Sequence, residues 1–192
     1  SSLWFYPVML TSETNDNVSR AADIRYVGMD YGFFDADYGD IFIPSFAMYG
    51  NVHNSQPYIS EVDLYIDVNQ DGYAEVVDFN YNYAYFTGNA AHTNVWFVAQ
   101  VDYVQGWITA GSPYLIFTDY NSGFQEWYLP AGWHYITDTF GFDVLSFDYL
   151  GRSDYAGHGQ FDITKPPFMY GLDPSTLNPV NETFNFLLRV LK

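Results

Sequence analysis

The chain has 192 residues, 48% of them hydrophobic and 21% aromatic, which suits one domain with a sizeable core. Six Lys and Arg stand against 23 Asp and Glu, and the net charge of -17 repels phosphate backbones and anionic lipid, so neither nucleic acid nor a membrane surface is expected as a partner. With no cysteine, a disulfide framework, a thiolate zinc site and a cysteine nucleophile are all excluded.

The chain opens on SSLWFYPVML, whose apolar run at 3–10 is the longest present. It is far short of the roughly 20 residues that span a bilayer as a helix, and it has neither the basic flank nor the cleavage pattern of a signal peptide. The chain is therefore read as a processed, soluble product with no membrane span. Leu3, Trp4, Phe5, Tyr6, Val8, Met9 and Leu10 are apolar on both faces of any strand they form, which demands burial on both. Two readings stay open. Residues 1–10 are an interior strand of their own sandwich, or they are an arm that crosses the polar connector at 11–20 and adds a strand to a neighbouring subunit. Asn17 in the connector begins a sequon, as does Asn181 near the other end, and both are candidate glycosylation sites.

From 21 to 192 the expectation is an all-β domain, an antiparallel β-sandwich of jelly-roll or Ig-like type. Short alternating runs rich in Tyr and Phe are broken by Gly, Asn, Asp and Pro, which predicts strands at 22–29, 40–49, 94–104, 113–119, 140–149 and 184–190. Asp30, Asp35, Asp37 and Asp40 match no ligand spacing and read as a solvated loop. Val62, Leu64, Ile66 and Val68 alternate with Glu61, Asp63, Tyr65 and Asp67, and the alternation resumes with Val77, Phe79, Tyr81, Tyr83 and Tyr85. The two runs make a hairpin. Helical periodicity is absent apart from a single turn near Pro174-Ser175-Thr176-Leu177.

The hairpin closes on IDVNQDGYAEVVD, where Asp67, Asn69 and Asp71 recur at alternate positions before Gly72. A calcium loop supplies hard oxygen ligands at positions one, three and five, turns on a glycine at six and uses a backbone carbonyl at seven. Tyr73 occupies position seven, and Glu75 and Asp78, at nine and twelve, complete the expected Ca2+ shell. A plain Asp-Gly hairpin turn accounts for Asp71 and Gly72 but has no need of Asp67 and Asn69 at those offsets.

Reading outward from this loop, the segments ADIRYVG at 22–28, EVDLYIDVNQDG at 61–72, then 94–104, and 140–154 with FDITKP at 161–166 resemble, in order, the accessory domain that follows the catalytic domain in secreted subtilisin-like serine peptidases of prokaryotes. The resemblance covers most of the chain. It implies a secreted, calcium-binding β-sandwich that stabilises or targets a protein and performs no chemistry. Such domains tend to carry Asp where Glu75 stands here. The Asp-Thr-Gly, His-Gly-Thr and Gly-Thr-Ser segments of the peptidase itself are missing from the sequence.

No catalytic residue is singled out. His53, His92, His134 and His158 are scattered and read as loop or strand-edge residues, and Ser153 lacks the second glycine of a nucleophile elbow. Among the 23 acids no segment marks out a glycosidase pair. The preferred expectation is a non-catalytic extracellular or cell-surface structural subunit, stabilised by calcium, that forms a homo-oligomer or polymer, a filament, by donating its N-terminal strand. The alternatives are a carbohydrate- or surface-binding module in which Trp107, Trp127, Tyr128 and Trp133 stack on sugar rings, and the tail domain of a larger secreted peptidase.

Overall fold

A computed structural model describes residues 3–52, 60–92, 95–109, 116–118, 122–165 and 186–190, with backbone alone at 3–6, 32–34, 52, 107–109, 117–118 and 186–190. The strands are β1 (Leu3–Thr11), β2 (Ile24–Asp35), β3 (Gly39–Val52), β4 (Glu61–Asp67), β5 (Val76–Asn82), β6 (Trp96–Asp102), β7 (Trp107–Thr109), β8 (Ile116–Thr118), β9 (Ser122–Trp127), β10 (Leu129–Pro130), β11 (Thr139–Phe147), β12 (Ser153–Asp162) and β13 (Phe186–Val190). They form two antiparallel sheets packed face to face, a β-sandwich. One sheet runs β13-β1-β2-β3-β9-β8, with β10 also against β3, and the other runs β12-β11-β4-β5-β6-β7.

The alternation at 62, 64 and 66 does what its period demands, since Val62, Leu64 and Ile66 are fully buried between the sheets. They meet Ile24, Val27, Met29, Phe42 and Phe46 from the facing sheet and Phe140, Phe142, Val144 and Phe161 from β11 and β12. Phe42 and Phe140 touch edge to face across the layers at 5.8 Å, and Phe46 lies against Trp127 at 4.7 Å. Trp127 is fully buried. It belongs to the core, and the expectation that it stacks on sugar rings is corrected accordingly.

β5 departs from the sequence reading twice. Its aromatic positions Phe79 and Tyr81 are only partly buried and pack with Phe97 on the outer face, whereas Asp78, Asn80 and Asn82 are the fully buried ones. Each inward polar group has a partner. Asn80 accepts the Val62 N–H at 2.5 Å and donates to the Ser60 carbonyl at 2.9 Å. The strand also stops at Asn82, whose side chain accepts the Ala84 N–H at 2.9 Å and so caps the short helix α1 (Tyr83–Thr87). Tyr83 and Tyr85 therefore lie on a helical turn and not on the extension of β5.

Strands β9 and β12 were not marked by the sequence. In β12, SDYAGHGQFD, the buried positions are held by Asp154, Ala156 and Phe161, and a register shift opposite Val144 and Leu145 interrupts the period. In β9 two of the buried positions are Gln125 and Glu126, which carry no apolar signal. The helical turn expected at 174–177, His53 and the Asn181 sequon lie outside the described residues. Among the described residues no helix is long and apolar enough to cross a membrane.

β1 is central in its sheet but changes partner along its length. Residues 3–7 pair with β13 and residues 8–11 with β2. The change falls at Pro7, which has no N–H to give to a continuous ladder. Beyond the change, Val8 packs on the outer-face cluster of Ile41 and Ile43, while Met9 and Leu10 pack on the main core. Residues 8–10 are thus partly covered on both sides.

Candidate functional site

The loop between β4 and β5 is built by its own acidic side chains. Asp67, at the end of β4, is buried, and its carboxylate accepts the N–H of Asp71 at 3.2 Å and of Gly72 at 2.8 Å. Asn69 accepts the Asp71 N–H at 2.9 Å, and Asp71 accepts the Tyr73 N–H at 2.9 Å. These are the bonds by which Asx residues turn a chain back on itself. Glu75 closes the circuit by accepting the Val68 N–H at 2.7 Å and the Asn69 amide at 2.6 Å. Gly72 has φ of 91°, which an L-residue rarely adopts, and here the backbone and not space requires glycine. Gln70 is left-handed too, at φ 59°, and is held by donating to the Thr139 carbonyl at 3.2 Å and accepting from Gln160 at 2.8 Å.

The result brings one carboxylate oxygen each from Asp67, Asp71 and Glu75 within 4.8 Å of one another. The donor set is all oxygen, and no basic side chain among the described residues pairs with it. Three like charges at that spacing repel, and a hard divalent cation between them reverses the sign of the interaction. The cluster can hold a metal ion.

Asn69 lies beside this trio, and the Tyr73 ring points into solvent, 79% exposed. Asp78 takes no part. It faces the interior from β5, where its carboxylate meets His134 Nε2 at 2.7 Å and Gln100 at 3.3 Å. A twelve-residue count assumes a helical exit from the loop, whereas here an extended strand carries position twelve away from it.

His134 is likewise not the loop or strand-edge residue expected. The 3-10 turn Ala131–His134 folds it inward to full burial. Both ring nitrogens face acceptors, Nε2 the Asp78 carboxylate and Nδ1 the Pro130 carbonyl at 2.7 Å. Burial disfavours the charged ring, but the Asp78 charge and hydrogen bond and the Pro130 carbonyl outweigh it and raise its pKa. His134 thus ties β5 to the end of β10, with Gln100 also 2.9 Å from its Nε2. A second carboxylate pair that the sequence did not single out stands on β4, where burial and the neighbouring Glu61 charge push Asp63 up to about 7. Of the acids expected in one solvated loop, Asp30 lies within β2 and is partly buried and Asp40 lies in β3, while Asp35 and Asp37 stand at the hairpin turn between these strands, Asp35 accepting the N–H of Asp37 at 2.8 Å and of Tyr38 at 3.0 Å.

The connector carries the other acidic constellation. Asp23, Asp148 and Asp154 are buried and accept from it at several points. Asn15 donates its backbone N–H to Asp23 at 3.1 Å and its side-chain amide to Asp154 at 3.1 Å, and the Ile24 N–H reaches Asp154 at 3.0 Å. Ser19 donates to Asp148 at 3.1 Å. Burial opposes ionisation of Asp148, but bonds from Arg152 and from the backbone of Leu150 and Ser19 bring it down to about 2. Asn17 is exposed within this stretch.

Of the proposed sugar-stacking residues, Trp133 is half-exposed with Tyr38 edge-on at 5.9 Å, Tyr128 is partly buried with its hydroxyl on Glu126, and the side chain of Trp107 lies outside the described residues. No family model, curated protein or solved structure matches the chain. The resemblance to the peptidase accessory domain accordingly rests on the quoted segments alone.

Proposed function

We propose that the chain is a non-catalytic structural subunit of the cell exterior that assembles with copies of itself by exchanging β1. The observation that carries this reading is the packing of residues 8–10 of β1 on both faces, with Val8 on one apolar cluster and Met9 and Leu10 on the other, just before the polar connector. A strand so placed makes the same hydrogen bonds and apolar contacts whether it comes from its own chain or from a neighbour. Closed and exchanged forms then differ chiefly in the link between strand and body, and protein concentration selects between them.

In this reading the ion at Asp67, Asp71 and Glu75 is calcium, with Asn69 and the Tyr73 carbonyl as further oxygen donors. Its role is mechanical. It offsets the local negative charge and fixes the β4–β5 turn, which Gln70 ties to β11 and β12. Asn17, and Asn181 outside the described residues, are the proposed glycosylation sites. A second reading, a carbohydrate-binding accessory module of a secreted peptidase, is favoured by one feature, the exposed edge-to-face pair of Trp133 and Tyr38.

The test compares the full chain with one lacking residues 1–10. Light scattering should find concentration-dependent assembly in the first and none in the second, and a peptide of residues 1–14 should bind the shortened chain. Assembly of the shortened chain equal to that of the full one contradicts the reading.

A further inference from the structure

If β1 passes to a neighbour, one stretch of backbone must change course while the rest keeps its contacts, and the hydrogen bonds along the connector locate it. On the arm side, Thr11 is in register with Tyr26, the Ser12 N–H reaches the Arg25 carbonyl at 3.1 Å and the Tyr49 hydroxyl reaches the Ser12 carbonyl at 3.0 Å. Glu13 and Thr14 are exposed, and among the described residues their only bond is the local one from the Ser12 hydroxyl to the Glu13 carbonyl. From Asn15 the bonding resumes at once and runs to distant partners. Asn15 is bonded to Asp23 and Asp154, Val18 is buried, Ser19 is bonded to Asp148, and the Arg20 carbonyl accepts the Gly50 N–H at 2.8 Å. An ideal Cβ placed on Gly50 falls 2.5 Å from the Arg20 Cβ, so the connector lies directly on β3 at that point.

We propose that Glu13 and Thr14 are the hinge by which β1 enters the sheet of a second copy of this chain, and that Asp23, Asp148 and Asp154 keep the connector from Asn15 onward on the parent body. The inference rests on the strand-exchange reading and adds a geometric limit to it. The three steps from Ser12 to Asn15 span at most about 11 Å. The receiving sheet therefore lies directly beside the donor's Asn15, and successive subunits touch instead of hanging on a loose tether.

The chain has no cysteine of its own, so introduced pairs report on it cleanly. One full-length variant carries Thr11→Cys with Tyr26→Cys, register partners across β1 and β2; Val8→Cys with Gly28→Cys is a second pair for the same junction should the first fold poorly. Another carries Arg20→Cys with Gly50→Cys, positions that need part by only about 1 Å to reach disulfide geometry. Each is oxidised at a concentration where the chain assembles and run on a non-reducing gel. The expected result is a ladder of cross-linked chains from the arm pair and a single-chain band from the Arg20 pair. Ladders from both place the crossing downstream of Arg20 and overturn the hinge while leaving exchange intact. A single-chain band from both arm pairs, in protein that is assembled, overturns strand exchange and the hinge with it.

Discussion

The loop at 67–75 and the connector at 12–23 are both short, polar and acidic, yet they are held by opposite means. In the loop, Asp67, Asn69, Asp71 and Glu75 bond to groups two to seven positions away, and the spacing of the side chains is itself the structure. In the connector the Ser19 N–H and the Asn15 side-chain amide are fastened by Asp148 and Asp154, 129 and 139 residues later in the chain. The loop also gathers carboxylates with no cation of the protein's own among them, whereas in the connector Arg152 lies on Asp148. The first arrangement can take a cation, and in the second Arg20 and Arg152 already pair with Asp23 and Asp148. Local acid patterns therefore mark where an ion could be held, and acids bonded to distant N–H groups mark where the chain is pinned.

The contrast can be broken at either end. The largest effect is expected from Asp154→Ala, because both oxygens of a buried carboxylate are in use and the buried Ile24 N–H is left without an acceptor; the loss should be about 3 kcal/mol in urea unfolding. A loss below about 0.5 kcal/mol would mean that the connector is not pinned there. Chelation comes next. Calcium at a hundredfold excess over its dissociation constant contributes about 2.7 kcal/mol. Its removal should lower the melting temperature of the intact chain and leave Asp67→Asn with Asp71→Asn unmoved, while equal melts with and without calcium would reduce the loop to a plain turn.

The smallest effects concern pH, and two carboxylates should act with opposite sign. Asp63 holds its proton longer folded than unfolded, with a value of about 7 against 3.8, so its contribution is present below 3.8 and is lost as pH rises toward 7. Asp148 is depressed to about 2, so the connector's bond is present above 3.8 and is lost as pH falls toward 2. Melting curves of Asp63→Asn should be flatter than those of the intact chain between pH 4 and 7, and an unchanged slope would contradict the burial of that pair.

The sandwich was legible because β4 and much of β11 bury one apolar side and leave the other partly exposed, a period that survives in the sequence, while β3 shows as an apolar run buried on both faces. The metal trio was legible for the same reason, its bonds being local. Asp78 was misplaced because counting positions cannot say that the chain leaves the loop extended. The inward faces of β5 and β9 were hidden because Asp78, Asn80 and Gln125 are buried polar groups; His134 and Ser60 partner the first two and the Trp127 indole reaches Gln125, none of which the sequence announces. The partner change of β1 at Pro7 had a visible signal, a proline inside an apolar strand, whose meaning depends on which strands lie alongside.

Electron microscopy of the full-length protein across a concentration series tests the central claim most directly. Exchange of β1 through a two-residue hinge predicts linear chains of touching subunits that lengthen with concentration. Isolated particles of single-chain size at every concentration would contradict it.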